Sequence, residues 1–177
     1  MMKRILSLGG GVQSSCLIYM QAVGLIDFDY SVFADTGAEP QYVYEHIDYL
    51  RSISPRPLYV VRAKHNLIDD LARGKMQMPA LINDGKGRLS KHCSDEYKVR
   101  PIHSFIKQNE NYKRGDKYEI VIGISADEQH RARLTKPPFI HIYPLIFDAP
   151  MNRAACVAFA EMHGFRLPRK SGCVCCP

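Results

Sequence analysis

The chain has 177 residues, 46% of them hydrophobic and 24% charged, with a formal net charge of +6. That balance fits one folded domain with a sizeable core and a bias toward anionic partners. No apolar run is long enough to span a bilayer, and Gly9, Gly10, Gly11 and Gln13 break up the segment after the early Lys3 and Arg4, so neither a membrane anchor nor a signal peptide is expected and a cytoplasmic location is.

In chain order, KRILSL reads as a first strand and SSCLIYMQAVG as a helix. FDYSVFADTG alternates into turn residues and reads as a second strand. PQYVYEHIDYLRSI opens with Pro40 at a first-turn position and repeats its apolar residues at helical spacing. PLYVVRA is a third strand, and NLIDDLARG a short helix capped by Asn66. Residues 74–92, rich in Gly, Lys and Met, suggest an exposed loop. DEYKVRPIHSFIKQ is a helix with Pro101 at a boundary or kink, YEIVIGIS a fourth strand, and FIHIYPLI a fifth. NRAACVAFAEMHG closes the series as a helix between an Asn152 cap and a Gly164 stop. Strands alternating with helices imply a doubly wound, mostly parallel five-stranded sheet in a single α/β domain spanning 1–177, with ligands beyond the carboxyl ends of the strands.

The turn between the first strand and helix, GGGVQSS (9–15), carries three glycines and two serines. Glycines there allow a tight turn that aims several N–H groups, and the positive end of the helix, at an anion. A plain β–α turn is the other reading. The loop has neither the Lys of a Walker loop nor GxGxxG spacing. Basic residues concentrate in KHCSDEYKVR (91–100), HRARLTK (130–136) and RLPRK (166–170).

Six cysteines in a cytosolic chain argue for metal or redox chemistry over a disulfide framework. Cys16 and Cys156 fall within apolar helical patterns and read as core residues. Cys173 and Cys176, in the Cys-rich segment SGCVCCP (171–177), form a CxxC, a spacing that lets two thiolates reach one metal.

The glycine turn and five later stretches, in order, resemble one family. GGGVQSS is similar to the PP-loop of the adenine nucleotide alpha-hydrolase superfamily, with Gln13 in place of its acidic residue, as in the phosphoadenosine phosphosulfate (PAPS) reductase branch. FADTGAEP (33–40), CSDEYKVRP (93–101), IGISADEQHRAR (122–133) and YPLIFDAPMN (143–152) resemble its later motifs, with Ser125 where Arg is usual, and SGCVCCP resembles its closing GCxxC. The resemblance implies an adenine nucleotide, ATP or PAPS, held by Ser7, Gly9, Gly10, Gly11, Gln13, Ser14, Ser15, Thr36, Gly123, Asp127, Glu128 and Arg133. Asp35, Lys98 and Arg131 become the candidate catalytic residues.

Some assignments stay open. Asp35 and Thr36 could face ribose or a metal ion, or stabilise their own turn. Asp127 and Glu128 could bind Mg²⁺ or pair with Arg131 and Arg133, whose guanidinium groups suit tetrahedral oxyanions. The resemblance makes Cys93 the third ligand beside Cys173 and Cys176. Three thiolates suit a [4Fe-4S] cluster, and a fourth from Cys175 would suit zinc. The implied function is sulfur chemistry: sulfonucleotide reduction, or nucleotide-activated sulfur transfer to tRNA or DNA. A homodimer is a further expectation. The alternative is a non-catalytic nucleotide- or nucleic-acid-binding module with structural zinc.

Overall fold

The computed structural model describes residues 2–75, 81–82, 87–88 and 92–174. In chain order the elements are β1 (Lys3–Leu8), α1 (Val12–Ala22), β2 (Tyr30–Asp35), α2 (Gln41–Ile53), β3 (Leu58–Arg62) and α3 (Leu67–Ala72). The short strands β4 (Leu81–Ile82) and β5 (Gly87–Arg88) come next, then a single turn α4 (His92–Ser94), a π-helical turn (Asp95–Val99) and α5 (Arg100–Asn109). β6 (Tyr118–Ile122), a 3₁₀ helix (Ala126–Arg131), β7 (Phe139–Ile142), α6 (Pro144–Phe147) and α7 (Arg153–Met162) complete the described elements.

Five strands form one all-parallel sheet in the order β3-β2-β1-β6-β7. Residues of alternating register face opposite sides. Leu6 and Leu8 of β1 pack under α1, α2 and α7, in a core that includes Leu17, Ile18, Val43, Leu50 and Ala160. Ile5, on the other face, joins Val32, Ile120, Ile102 and Ile106 beneath α5. A strand buried on both faces explains why KRILSL reads as a short apolar run. α1 is central rather than amphipathic, with nine consecutive or near-consecutive residues buried from Val12 to Gln21. Cys16 and Cys156 are fully buried in this core, as their apolar surroundings in the sequence suggest.

Several boundaries differ from the sequence expectation. The fifth strand stops at Ile142, and Pro144 opens α6 instead, its fixed φ being suited to a first helical position. Pro40 is the extended N-cap of α2 rather than a first-turn residue. The helix expected over DEYKVRPIHSFIKQ is two pieces. Pro101 cannot donate to a carbonyl of the preceding turn, and just before it the Arg100 N–H reaches back five residues to Asp95. Within 74–92 the described residues include an antiparallel pair, β4 with β5, where only loop was expected. Both Asn caps are found: Asn66 accepts from the Ile68 N–H and Asn152 from the Ala155 N–H.

The chain leaves β1 toward β2 on one side, while β6 lies on β1's other side. The loops after β1 and β6 therefore part at their carboxyl ends, which opens a crevice. They begin in close contact. A Cβ at Gly123 would lie 2.7 Å from the Ser14 nitrogen and 2.8 Å from its Cα. Gly123→Ala should therefore cost about 2 kcal/mol, because backbone must move to admit one methyl group. Urea denaturation of wild type and variant measures it.

Candidate functional site

The loop after β1 is shaped by its glycines. Gly10 has φ +70°, a conformation that L side chains rarely adopt, and Gly11 is the extended N-cap of α1 with no side chain to satisfy the first-turn N–H groups. Ser14 closes the loop from inside: its Oγ accepts from the Gly9 N–H at 3.3 Å and donates to the Gly11 carbonyl at 3.2 Å. Ser7 lies half-buried near the end of β1. Ser15 points into the core, where its hydroxyl meets His46 Nε2 at 2.9 Å. Burial, with Arg166 nearby, holds the His46 imidazole down at a pKa of about 4.

Gln13 and Ser125, two of the positions that depart from the motifs the chain resembles, touch each other. The Gln13 amide nitrogen donates to Ser125 Oγ at 3.3 Å and to Glu128 Oε2 at 3.2 Å, while its oxygen accepts from Arg153 at 3.2 Å. Glu128 also binds Arg131 at 2.7 Å. Asp127 accepts from the Arg153 N–H at 3.3 Å, and hydrogen bonding, chiefly from Ser125, holds its carboxyl below the usual carboxylate range. Glu128 and Arg131 thus pair with each other. The Arg133 guanidinium makes no ion pair among the described residues, and its backbone is gripped by Tyr143.

At the end of β2, Asp35 is buried and both its oxygens are occupied. Oδ1 accepts from the Gly37 N–H and the Tyr44 hydroxyl, each at 2.8 Å, and Oδ2 accepts from Arg62, its register partner on β3. Thr36 leads to a second cluster. Its hydroxyl bonds Glu39 at 3.3 Å and lies 3.2 Å from the Cys173 sulfur, which donates to the same Glu39 oxygen at 3.4 Å. Lys98 completes the cluster with an ion pair to Glu39 at 3.3 Å. Burial pushes the Cys173 thiol up to about 11, against the opposing pull of Thr36 and Lys98.

Cys93 and Cys173 pack against one small cluster formed by Ala38, Leu67 and Tyr97, so the two thiols come to the same corner of the fold. Cys175 and Cys176 lie outside the described residues. Among the described residues no three His, Cys, Asp or Glu side chains converge as a metal site. Cys173 is carried by a strap, residues 166–174, laid across the sheet rim. Tyr19 and Tyr42 donate to the carbonyls of Arg166 and Lys170, and the Val174 N–H donates to Ala38. Ser171 passes over the loop so closely that a Cβ on Gly11 would lie 2.9 Å from its hydroxyl.

His46, Arg62 and Arg153 lie in no motif stretch, while Glu39 and Ser171 lie within FADTGAEP and SGCVCCP without being singled out there. His46 had a signal, since it shares a helical stripe with Val43, Ile47 and Leu50. Arg62 and Arg153 are defined only by pairing across the fold.

Comparison with known proteins adds to this geometry. No protein-family model matches the sequence, and no curated protein matches it. Solved structures do. A PAPS reductase from Candida auris, in a phosphate complex, superposes with a TM-score of 0.64 at 12% identity, covering 98% of this chain and 81% of that one. The U34-tRNA thiolase NcsA from Methanococcus maripaludis, with its [4Fe-4S] cluster, does so with a TM-score of 0.54 at 14% identity, covering 98% of this chain and 59% of that one. The chain thus shares the fold of these two proteins, with a five-stranded, all-parallel sheet flanked by helices. Among the described residues no helix is long and apolar enough to cross a membrane.

The buried groups make stability depend on pH and on the rim network. His46 is neutral in the folded state and reverts to an ordinary pKa of 6.5 on unfolding. Unfolding therefore takes up a proton between pH 6.5 and about 4, and stability falls on acidification across that window by up to about 1.4 kcal/mol per pH unit. His103, stacked on Phe139 and likewise held near 4 by burial, adds a similar dependence. His46→Gln should remove roughly half of the combined slope in denaturant titrations at pH 7 and pH 5. Gln13→Glu would set a carboxylate against Glu128 and lose a donor, so thermal and urea unfolding should report a loss of about 1–2 kcal/mol.

Proposed function

We propose that the protein is an adenine-nucleotide-binding enzyme of sulfur chemistry, related in mechanism to the PAPS reductase-like proteins whose fold it shares. The observation that carries the reading is the conformation of residues 9–14. Gly10 at positive φ and a side-chain-free N-cap turn the first amides of α1 outward at the switch point of a parallel sheet, the arrangement that receives phosphate.

On this reading the amides from Gly9 to Ser15 cradle the phosphates of ATP or PAPS, and Ser7, Ser14 and Gly123 keep the loop in shape. Asp35 and Thr36 hold the turn that faces the nucleotide. Arg133, whose guanidinium makes no ion pair among the described residues, offers it to the anionic group. Arg131 joins it by exchanging Glu128 for the ligand, and Asp127 and Glu128 are the carboxylates within reach of a Mg²⁺. Lys98 offsets negative charge where Glu39 and Cys173 meet.

Cys93 and Cys173 would be two of the ligands of an iron–sulfur cluster, with Cys176 the third. Paired soft thiols beside a cationic Lys98 suit such a group. When bound, it would supply an iron able to hold sulfur. This chain's residues would exclude water around it through Ala38, Leu67 and Tyr97 and hold the strap that carries Cys173. Reduction of a sulfonucleotide and delivery of sulfur to tRNA or DNA both fit this set of groups, in a cytoplasmic enzyme.

Calorimetric titration with ATP and with PAPS tests the nucleotide site. Wild type should bind at least one of them. Gly9→Asp should bind roughly tenfold or more weakly, because a carboxylate then occupies the anion's place in a position with room for a side chain. Absence of nucleotide binding by wild type would overturn the reading. Protein purified without oxygen should carry iron and acid-labile sulfide, lost in Cys93→Ser and Cys173→Ser. Zinc alone, with no turnover, would leave a binding module clamped by metal.

A further inference from the structure

The basic cluster at 130–136 is only partly used by the nucleotide reading, and His130, Arg133 and Leu134 of the same stretch border a groove. β7 is the outer strand of the sheet. Beside it, between α6 and the segment after the 3₁₀ helix, lies a cavity of about 690 Å³, bordered by His130, Arg133, Leu134, Tyr143, Ile146 and Phe147. That volume is in the range that takes a nucleotide-sized group.

Two of its bordering side chains are apolar and unusually open. Leu134 is fully exposed and Phe147 is 73% exposed. Single exposed hydrophobic residues are ordinary, but two flanking one groove form a patch that water does not favour. Leu134 is also held in place. Tyr143 Oη accepts from the Arg133 N–H and donates to the Arg133 carbonyl, both at 2.9 Å, and Thr135 Oγ1 accepts from the His141 N–H at 2.7 Å. With the residues on both sides tied to β7 and its end, the leucine is presented to solvent by the build of the loop rather than by looseness.

The charge at this groove has one sign in excess. Arg133 on its border and Lys136, two residues beyond Leu134 in the chain, are exposed and make no ion pair among the described residues. Arg4 is already matched by Glu119, which leaves Asp148 as the acid on the rim. A second copy of a chain with net charge +6 would bring like charge to a basic face. An exposed apolar pair beside cations fits a ligand of the opposite kind: a polyanion carrying exposed aromatic rings.

We infer that this groove binds single-stranded nucleic acid, a base stacking on Phe147 and Leu134 while the exposed Lys136, two residues beyond Leu134 in the chain, meets a flanking phosphate. A duplex hides the rings that the apolar pair needs. The inference names the acceptor class of the proposed enzyme and rests on that reading only for its catalytic meaning. The 3₁₀ helix Ala126–Arg131 links the two places, starting beside Gln13 and ending at the groove.

Fluorescence anisotropy with a labelled single strand of about 20 nucleotides, as RNA and as DNA, and with the matching duplex, tests it. The variant carrying Leu134→Ser and Phe147→Ser changes exposed positions and leaves the nucleotide loop alone. Expected is roughly a tenfold or greater loss of single-strand affinity, with ATP binding unchanged and affinity that falls steeply with salt. The RNA and DNA arms identify the sugar. Unaltered single-strand affinity in the variant, or no binding by wild type, overturns the inference. A change from dimer to monomer on gel filtration would assign the groove to a second copy and overturn it too. Loss of ATP binding in wild type with strand binding intact would reject the nucleotide reading and leave the groove standing.

Discussion

Backbone lies against backbone where the end of β6 meets the first turn of α1, and the sheet rim is organised around that contact. Gly123 leaves no side chain between them. The approach sets the 3₁₀ helix beside Gln13, so one carboxamide can bridge Ser125, Glu128 and Arg153. An isolated pair of neutral groups would contribute little, but a satisfied network in a partly buried place fixes one arrangement of three elements. Gln13 and Ser125 therefore belong together: neither is charged, and each supplies the other with a hydrogen-bond partner.

Two buried carboxylates define the neighbouring rim at the end of β2, in different ways. Asp35 is surrounded by donors from its own turn, from α2 and from β3, so it behaves as a tie among elements. Glu39 is met by Lys98, Thr36 and a thiol. Removing one partner from such a group leaves a charge uncompensated in low dielectric, so these sites are sensitive to single changes in a way that the exposed pairs are not.

Much of the fold was legible because its signals are local. Alternating strands and helices, the Asn66 and Asn152 caps and the glycine turn each lie within a few residues, and the structure contains them. FIHIYPLI misled because a strand and a proline-initiated turn share one apolar run, and only Pro144 separates them. The helix expected at 95–108 hid a π turn because hydrophobic spacing does not report hydrogen-bond register. At the candidate site, the loop and the DTG turn were visible as motifs in the sequence, and the approach of Cys93 to Cys173 was implied by the resemblance alone. The roles of Glu39, Arg62 and Arg153 were not visible, since each acquires its meaning from a partner on another element. His46 stood in a buried stripe, where a lone imidazole reads as core until its contact with Ser15 is seen.

The strap from Arg166 to Val174 makes the two halves of the rim mechanically continuous. Ser171 rests on Gly11, and two residues later Cys173 hangs from Thr36 and Glu39. The backbone that passes over the glycine turn is thus the same short segment that fixes the sulfur at the end of β2, so a change in one contact is only two residues from the other.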